Sequence, residues 1–405
     1  MIKVPFAPPR MDKKIADEVV ATLYSGWITT GPRTQKLEKN LAEYIGVSDV
    51  VCLGSATAGM ELVLRWFGVK EGDEVIVPVY TYCATANVVL HCGAKVVFCD
   101  VGNDFNIDLT ELESLITEKT KVIMPVDIGG MPCDYNELNE LVRRKDITEK
   151  FNPISQEQKE LGRILLLADA AHSVGARYYD KMSGSLADVS TFSFHAVKNL
   201  VTAEGGSVCL NLPVPFLNGD IAKSLKRNSL HGQSKDALAK TKVGGWRYDI
   251  LEPGYKCNMT DLQAAIGLIE LERYESDMLV KRREIFEKYD SLLSKYEWAN
   301  TPVYETENKL SSFHIYMLRI NGVSEEQRDL MMNTIAEQQV AVNVHFQPLA
   351  LFTAYKNLGY SMDDYPIAFK QYSQEITLPV FYDISDEQIE AVVKAIALAY
   401  DSLEL

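Results

Sequence analysis

The chain of 405 residues is 47% hydrophobic and 24% charged, and that length exceeds what one hydrophobic core usually serves, so two soluble domains are expected. A formal net charge of −15 leaves no surplus of Lys and Arg to neutralise phosphates, which argues against a nucleic-acid partner. No apolar run approaches the roughly 18 residues of a membrane span, and the seven cysteines are scattered without a Cys-x-x-Cys pair, which argues against a disulfide framework or a cysteine metal site.

In chain order, the start lacks a signal peptide's basic end, long apolar run and small-residue cleavage site. With the cysteine pattern, this predicts a reducing, cytoplasmic setting. Residues 12–24 and 35–46 read as amphipathic helices on either side of a loop running from Gly26 through Trp27, Thr29 and Thr30 to Pro32. After the apolar run 50–53, the segment Gly54-Ser55-Ala56-Thr57 opens a helix reaching Trp66. Short apolar strands at 74–77, 95–98, 122–125, 164–168, 189–194 and 207–210 then alternate with helix candidates at 84–92, 109–116 and 135–144. Such alternation predicts a mostly parallel sheet with helices on both faces. Residues 146–162 are polar and aperiodic and read as a surface insertion. A long helical pattern runs from 262 to 295. Strands near 313–320 and 340–346, with helices near 324–338 and 386–402, complete a smaller α+β unit. The expected division is a large domain over 1–261 and a small one over 262–405.

Ligands in such sheets collect at the carboxyl ends of the strands. Asp169 ends the apolar run 164–168, and Lys198 follows Ser193-Phe194-His195 at the exit of a later strand. That pair suits pyridoxal 5′-phosphate (PLP). A lysine amine in a partly desolvated site forms a Schiff base with the cofactor aldehyde, and a carboxylate keeps the pyridine nitrogen protonated so that the ring acts as an electron sink. Surface lysines also follow strands, and an Asp before Ala170-Ala171 also suits a helix cap. A carboxylate buried behind apolar residues is nevertheless costly unless it is paired, and Glu204-Gly205-Gly206 permits close backbone approach. Ser55, Ala56 and Thr57 at a helix start form an anion site for a phosphate, although Ser and Thr begin many helices simply as caps. Tyr82, or its rival Tyr80, could stack on a pyridine ring, and His172 could bond the phenolic oxygen. No Gly-x-Gly-x-x-Gly follows a strand, which disfavours a nicotinamide enzyme.

These motifs together resemble the DegT/StrS family of PLP-dependent sugar-nucleotide aminotransferases, including members that aminate a UDP-linked 4-keto pentose. The matching stretches are 26–32, 55–60, 72–76, 169–172, 193–199, 203–206 and 254–261, almost end to end. The resemblance implies an aspartate aminotransferase-like fold (PLP fold type I), a three-layer α/β domain with a mostly parallel sheet and a smaller C-terminal α+β domain. It implies catalysis by Lys198 and Asp169, a phosphate cup of Ser55, Ala56, Thr57 and Ser193, Tyr82 over the ring, and His172 at the phenolic oxygen. Lys256 and Asn258 would reach the phosphate of a neighbouring subunit, giving a homodimer with composite sites. Trp27, Thr29, Thr30, His195 and His345 would face a nucleotide-sugar substrate, with glutamate as amino donor and no metal. Asp127 stands where the family commonly has His and is expected to reshape the sugar pocket. Two alternatives stay open on sequence: a PLP-dependent sugar dehydratase, which Lys198 disfavours, and an inert sugar-sensing scaffold.

Overall fold

The computed structural model describes residues 2–235 and 247–403. Its larger part contains strands β1 (Asp49–Leu53), β2 (Glu74–Pro78), β3 (Lys95–Cys99), β4 (Thr120–Ile123), β5 (Leu165–Asp169), β6 (Arg177–Tyr178), β7 (Lys181–Met182), β8 (Val189–Ser193) and β9 (Gly206–Leu210). Seven of them form one sheet in the order β1-β9-β8-β5-β4-β2-β3. Only β9 runs against its neighbours; every other pairing in this sheet is parallel. Strands β2, β4, β5 and β9 are buried at every position. Their apolar runs show no alternation because helices cover both faces of the sheet.

The expected elements form with shifts of a few residues. Helix α1 (Lys13–Tyr24) is capped by Asp12, which accepts from the Ile15 amide. Helix α2 (Pro32–Ile45) starts with proline, whose missing N–H costs nothing in the first turn, and stops at Gly46 in the left-handed region. Helix α3 (Ala56–Trp66) and helix α4 (Cys83–His91) follow β1 and β2 directly. Because β1, β2, β4, β5 and β8 point the same way, Ser55, Tyr82, Val126, Asp169 and Ser193 emerge at one rim.

A smaller antiparallel sheet has the order β10 (Ala299–Asn300), β12 (Tyr316–Ile320), β13 (Glu375–Leu378). Strand β11 (Lys309–Leu310) instead pairs with β6, tying the two parts together. Helices Leu279–Leu293, Glu325–Glu337 and Asp386–Asp401 share an apolar cluster with the small sheet, and Val4 from the amino-terminal end joins that cluster.

Three expectations are corrected. The pattern at 262–295 is not one helix: helix Asp261–Glu272 packs on α1 and α2, a π-helical turn Tyr274–Met278 follows, and helix Leu279–Leu293 then turns its apolar face to the small unit. The turn is anchored by the buried Tyr274, whose hydroxyl donates to the Val174 carbonyl at 2.7 Å. No strand forms at 340–346. That segment makes isolated bridges, Val340 to Val4 and Asn343 to Thr377, and the ladder position beside β12 goes to β13. Residues 146–162 are not purely a surface insertion, since their helices Lys145–Thr148 and Gln156–Leu161 send side chains into the core. Ile147 and Gln158 are fully buried, and the Gln158 amide donates to the Phe67 carbonyl at 3.0 Å.

Candidate active site

The strand rim opens into a cavity of about 380 Å³ whose lining includes Ser55, Ala56, Thr57, Tyr82, Asp169, His172, Ser193, His195, Lys198 and His345. Ten residues expected from sequence thus come together from distant segments. Trp27, Thr29, Thr30, Lys256 and Asn258 do not line it. They form a second constellation, in which the Asn258 amide donates to the Thr30 hydroxyl at 2.5 Å, Lys256 donates to Asn258, and the Trp27 indole donates to the Thr30 carbonyl at 3.1 Å. Asp261 organises this loop. Fully buried, it accepts from the amides of Gly31, Arg33 and Thr34 and from the Thr34 hydroxyl, all within 3.0 Å. It therefore satisfies the orphan N–H groups at the start of α2 from a position far along the chain, a role the sequence did not reveal.

Asp169 is 5% exposed. It accepts from the Thr85 hydroxyl at 2.8 Å and from the Ala171 amide at 3.2 Å. Burial raises its pKa above the ordinary carboxylate range, and those two donors, with the Lys198 charge, only partly oppose the rise. Lys198 borders the cavity and is partly exposed to it. Its ammonium nevertheless sits in poorly solvated surroundings, and burial depresses its pKa to about 8, with Asp169 pulling the other way. A substantial neutral fraction of this amine is therefore present near physiological pH, which nucleophilic attack on an aldehyde requires.

The imidazoles of His172, His314 and His345 all feel the charge of the lysine. His172 stacks on Phe346 at 5.7 Å and meets His314 at 4.3 Å. Burial and the Lys198 charge hold both histidines well below their ordinary pKa, hence neutral. His314 was not anticipated; its only signal was a histidine at the entry to an apolar strand. Its tautomer follows from its partners. The Asn199 amide nitrogen donates to the Ser312 carbonyl at 2.7 Å, so the Asn199 oxygen faces His314 Nδ1 at 2.7 Å and accepts its proton.

Helix α3 begins at the cavity wall. The Ser55 hydroxyl caps it by accepting from the Ala58 amide at 3.1 Å. A hydroxyl that accepts one bond still has its own O–H to donate, so capping and anion binding are compatible. Gly206, the first residue of β9, passes so close that a Cβ there would lie 2.2 Å from the Ala56 nitrogen. Only glycine permits that approach. Of the two tyrosines after β2, Tyr80 is fully buried and its hydroxyl donates to the His345 carbonyl, whereas Tyr82 is 61% exposed and borders the cavity.

Asp127 departs from expectation. It is fully buried and does not line the cavity. Its carboxylate accepts from the hydroxyls of Ser173, Tyr135 and Ser183 and from the Cys133 amide, at 2.6 to 3.2 Å. It organises the layer behind the sheet rim.

The site fits a PLP-type cofactor on its own terms. Asp169 is a buried carboxylate with acceptor capacity left over, His172 Nδ1 is buried without a hydrogen-bond partner, and the α3 start offers N–H groups and hydroxyls to a phosphate. No cluster of His, Cys, Asp and Glu suited to a metal occurs among the described residues. No helix among them is long and apolar enough to cross a membrane.

Known proteins give the same picture. The profile of the DegT/DnrJ/EryC1/StrS aminotransferase family matches residues 9–397. The spore coat polysaccharide biosynthesis protein SpsC of Bacillus subtilis is 34% identical over 401 residues, covering 97% of this chain and 96% of that one. The PMP form of Spr1654 from Streptococcus pneumoniae, assigned as a sugar aminotransferase, superposes with a TM-score of 0.95 at 44% identity, covering 99% and 100% of the two chains. It has also been solved in a PLP form. Helicobacter pylori PseC, an aminotransferase involved in the biosynthesis of pseudoaminic acid, gives 0.87 at 25% identity, again over 99% and 100%.

Proposed function

Because the chain belongs to the DegT/DnrJ/EryC1/StrS aminotransferase family and is a PLP-dependent sugar aminotransferase, we propose that it moves an amino group from glutamate to the C4 keto carbon of a UDP-linked deoxysugar for a surface polysaccharide. The observation that carries this reading is the opening of Asp169 and Lys198, from two neighbouring strand ends, into one cavity. The involvement of SpsC in spore coat polysaccharide and of PseC in pseudoaminic acid biosynthesis supports a carbohydrate precursor as substrate.

Bound in the cavity, the cofactor would supply an electron sink for bond breaking at the carbon that gains or loses the amine. In this reading Lys198 would hold the cofactor and would move a proton at the substrate carbon, its lowered pKa keeping the amine available as a base. Asp169 would keep a proton on the ring nitrogen, and its burial would strengthen that pairing. Ser55, Ala56, Thr57 and Ser193 would hold the phosphate, Tyr82 would cover the ring, and His172 would offer its unpaired nitrogen to the phenolic oxygen.

Lys256 and Asn258 lie outside the cavity of their own chain and are assigned to a neighbour's phosphate, which makes the enzyme a homodimer with composite sites. Trp27, Thr29 and Thr30 join that shared wall, while His195 and His345 face the sugar nucleotide. The division into a 1–261 cofactor domain and a 262–405 smaller domain belongs to the same reading, with Val4 crossing to the second core. Free cysteines throughout suit a cytoplasmic enzyme.

Keto-sugar nucleotides assayed with glutamate test the assignment. The expected product is a UDP sugar with a new amine at C4. Preference for a 3-keto or dTDP-linked sugar would sink the substrate choice, and a deoxygenated sugar without new nitrogen would replace amino transfer by dehydration.

A further inference from the structure

His345 is fixed at four points. Its amide donates to the Glu375 carboxyl at 3.0 Å, and its carbonyl accepts from the Tyr80 hydroxyl at 2.7 Å. Its ring stacks on Phe6 at 5.7 Å with an interplanar angle of 15°, and its Nδ1 lies 3.0 Å from the Thr377 hydroxyl. The backbone explains the first of these contacts. Segment 340–346 pairs with β13 only at Asn343 and Thr377, and beyond that bridge the Glu375 carboxyl takes up the next free N–H. With its backbone and Nδ1 committed, His345 has Nε2 left to meet a ligand in the cavity it lines.

Glu375 and Thr377 share one face of β13 because strand side chains alternate with period two. Glu375 is fully buried, and the Thr377 hydroxyl donates to it. The pattern is therefore a chain: buried carboxyl, hydroxyl, imidazole, cavity. A hydroxyl has a single proton, so the chain has two self-consistent states. With Glu375 ionised, Thr377 donates to the carboxylate and accepts from Nδ1–H, and Nε2 presents a lone pair. With Glu375 protonated, the carboxyl donates to Thr377, Thr377 donates to Nδ1, and Nε2 carries the proton. Passage between the states balances. One proton enters at Nε2, the Nδ1 proton moves to the Thr377 oxygen, and the Thr377 proton moves to Glu375.

We propose that Glu375 is a positioning residue which, through Thr377, sets the nitrogen of His345 that carries the proton and so decides whether Nε2 donates to or accepts from a ligand. The proposal rests on the cavity being the active site. The cost of ionising each group supports it. Burial pushes Glu375 up to about 8, and burial with the Lys198 charge holds His345 down to about 4, so between those limits the added proton belongs on Glu375 and the imidazole stays neutral. Other groups facing the chain are Arg328, whose guanidinium donates to the Tyr372 and Glu375 carbonyls, Arg319 across the strand pair, Tyr80, and Lys198, His172 and His314 on the cavity side.

Nitrogen NMR of the cofactor-loaded enzyme labelled at histidine, with the His345 signals assigned by loss in His345→Gln, tests this. In the unaltered enzyme the protonated nitrogen of His345 should change from Nε2 to Nδ1 as pH rises through about 8. Glu375→Gln should hold the proton on Nε2 at every pH, because the amide NH2 donates to Thr377 as the acid does. Thr377→Val should abolish the inversion while leaving Glu375 in place. Absence of the inversion in the unaltered enzyme, or its survival in either variant, overturns the proposal. The same samples treated with borohydride separate the two readings: failure to fix cofactor on Lys198 defeats the active-site assignment, whereas fixation without the tautomer change defeats only the role of Glu375.

Discussion

Asp127 and Asp169 invite direct comparison. Asp127 follows β4 and Asp169 ends β5, at neighbouring places on one rim of the parallel sheet; both are buried, and burial raises both pKa values. The backbone even links them, the Asp127 amide donating to the Asp169 carbonyl at 3.2 Å. They differ in how their oxygens are used. Asp127 is surrounded by three hydroxyls and an amide, whereas Asp169 has one hydroxyl, one amide and an open cavity. A fully satisfied buried carboxylate holds structure in place. One with capacity left over is poised for a cationic partner. Burial alone does not separate the two; the remaining hydrogen-bonding capacity does.

The largest effect that could break this comparison is expected away from both carboxylates. Lys198→Ala should lower transamination by roughly 10⁴-fold or more, because it removes the nucleophile and the proton carrier together. It should also remove the borohydride-fixable cofactor, and retention of either would dissolve the cavity's assigned chemistry. Next comes Asp169→Asn, which leaves shape intact but cannot hold a pyridinium proton. Its kcat should fall by roughly 10²-fold or more with thermal stability little changed, and near-normal turnover would make Asp169 a second Asp127.

Asp127→Ala should show the opposite profile. Leaving the Tyr135, Ser173 and Ser183 hydroxyls and the Cys133 amide without their acceptor should destabilise the fold by about 2–4 kcal/mol, seen as a lower denaturation midpoint. Activity per folded molecule should change by only a few-fold. If activity collapsed while stability held, the division of labour between the carboxylates would be wrong.

The smallest effect is a titration. The proposed attachment of cofactor to Lys198 in the apo-enzyme would need the neutral amine. Its rate should therefore rise with pH and level off above about 8, well below the range of an ordinary lysine. Asp169 favours the ammonium, so Asp169→Asn should move that midpoint to lower pH, and Asp127→Asn should leave it in place. Linkage has the same sign. With its folded pKa depressed, Lys198 makes apo-enzyme stability rise between about 8 and the ordinary lysine pKa, where the unfolded chain binds more protons. Stopped-flow absorbance and pH-dependent melts, with Lys198→Met as reference, measure both.

Much of this protein was legible in its amino-acid order. Alternating apolar runs and helical stretches determined a mostly parallel sheet, because local periodicity reports which faces must be buried. Strand ends followed by Asp, Lys and a Ser-Ala-Thr helix start pointed to residues that line one cavity, because such a sheet brings those ends to one rim. Tertiary structure decided what depends on partners distant in sequence. The pattern at 262–295 hid a π-turn because periodicity does not register a rotation of the buried face. Residues 340–346 looked like a strand, but β13 took the ladder position beside β12 and left 340–346 with isolated bridges. Asp127 and Asp169 looked alike in one dimension, and Glu375 and His314 gave almost no signal. Whether a buried polar group is sated or poised depends on donors that arrive from remote segments, and that count exists only once the chain is folded.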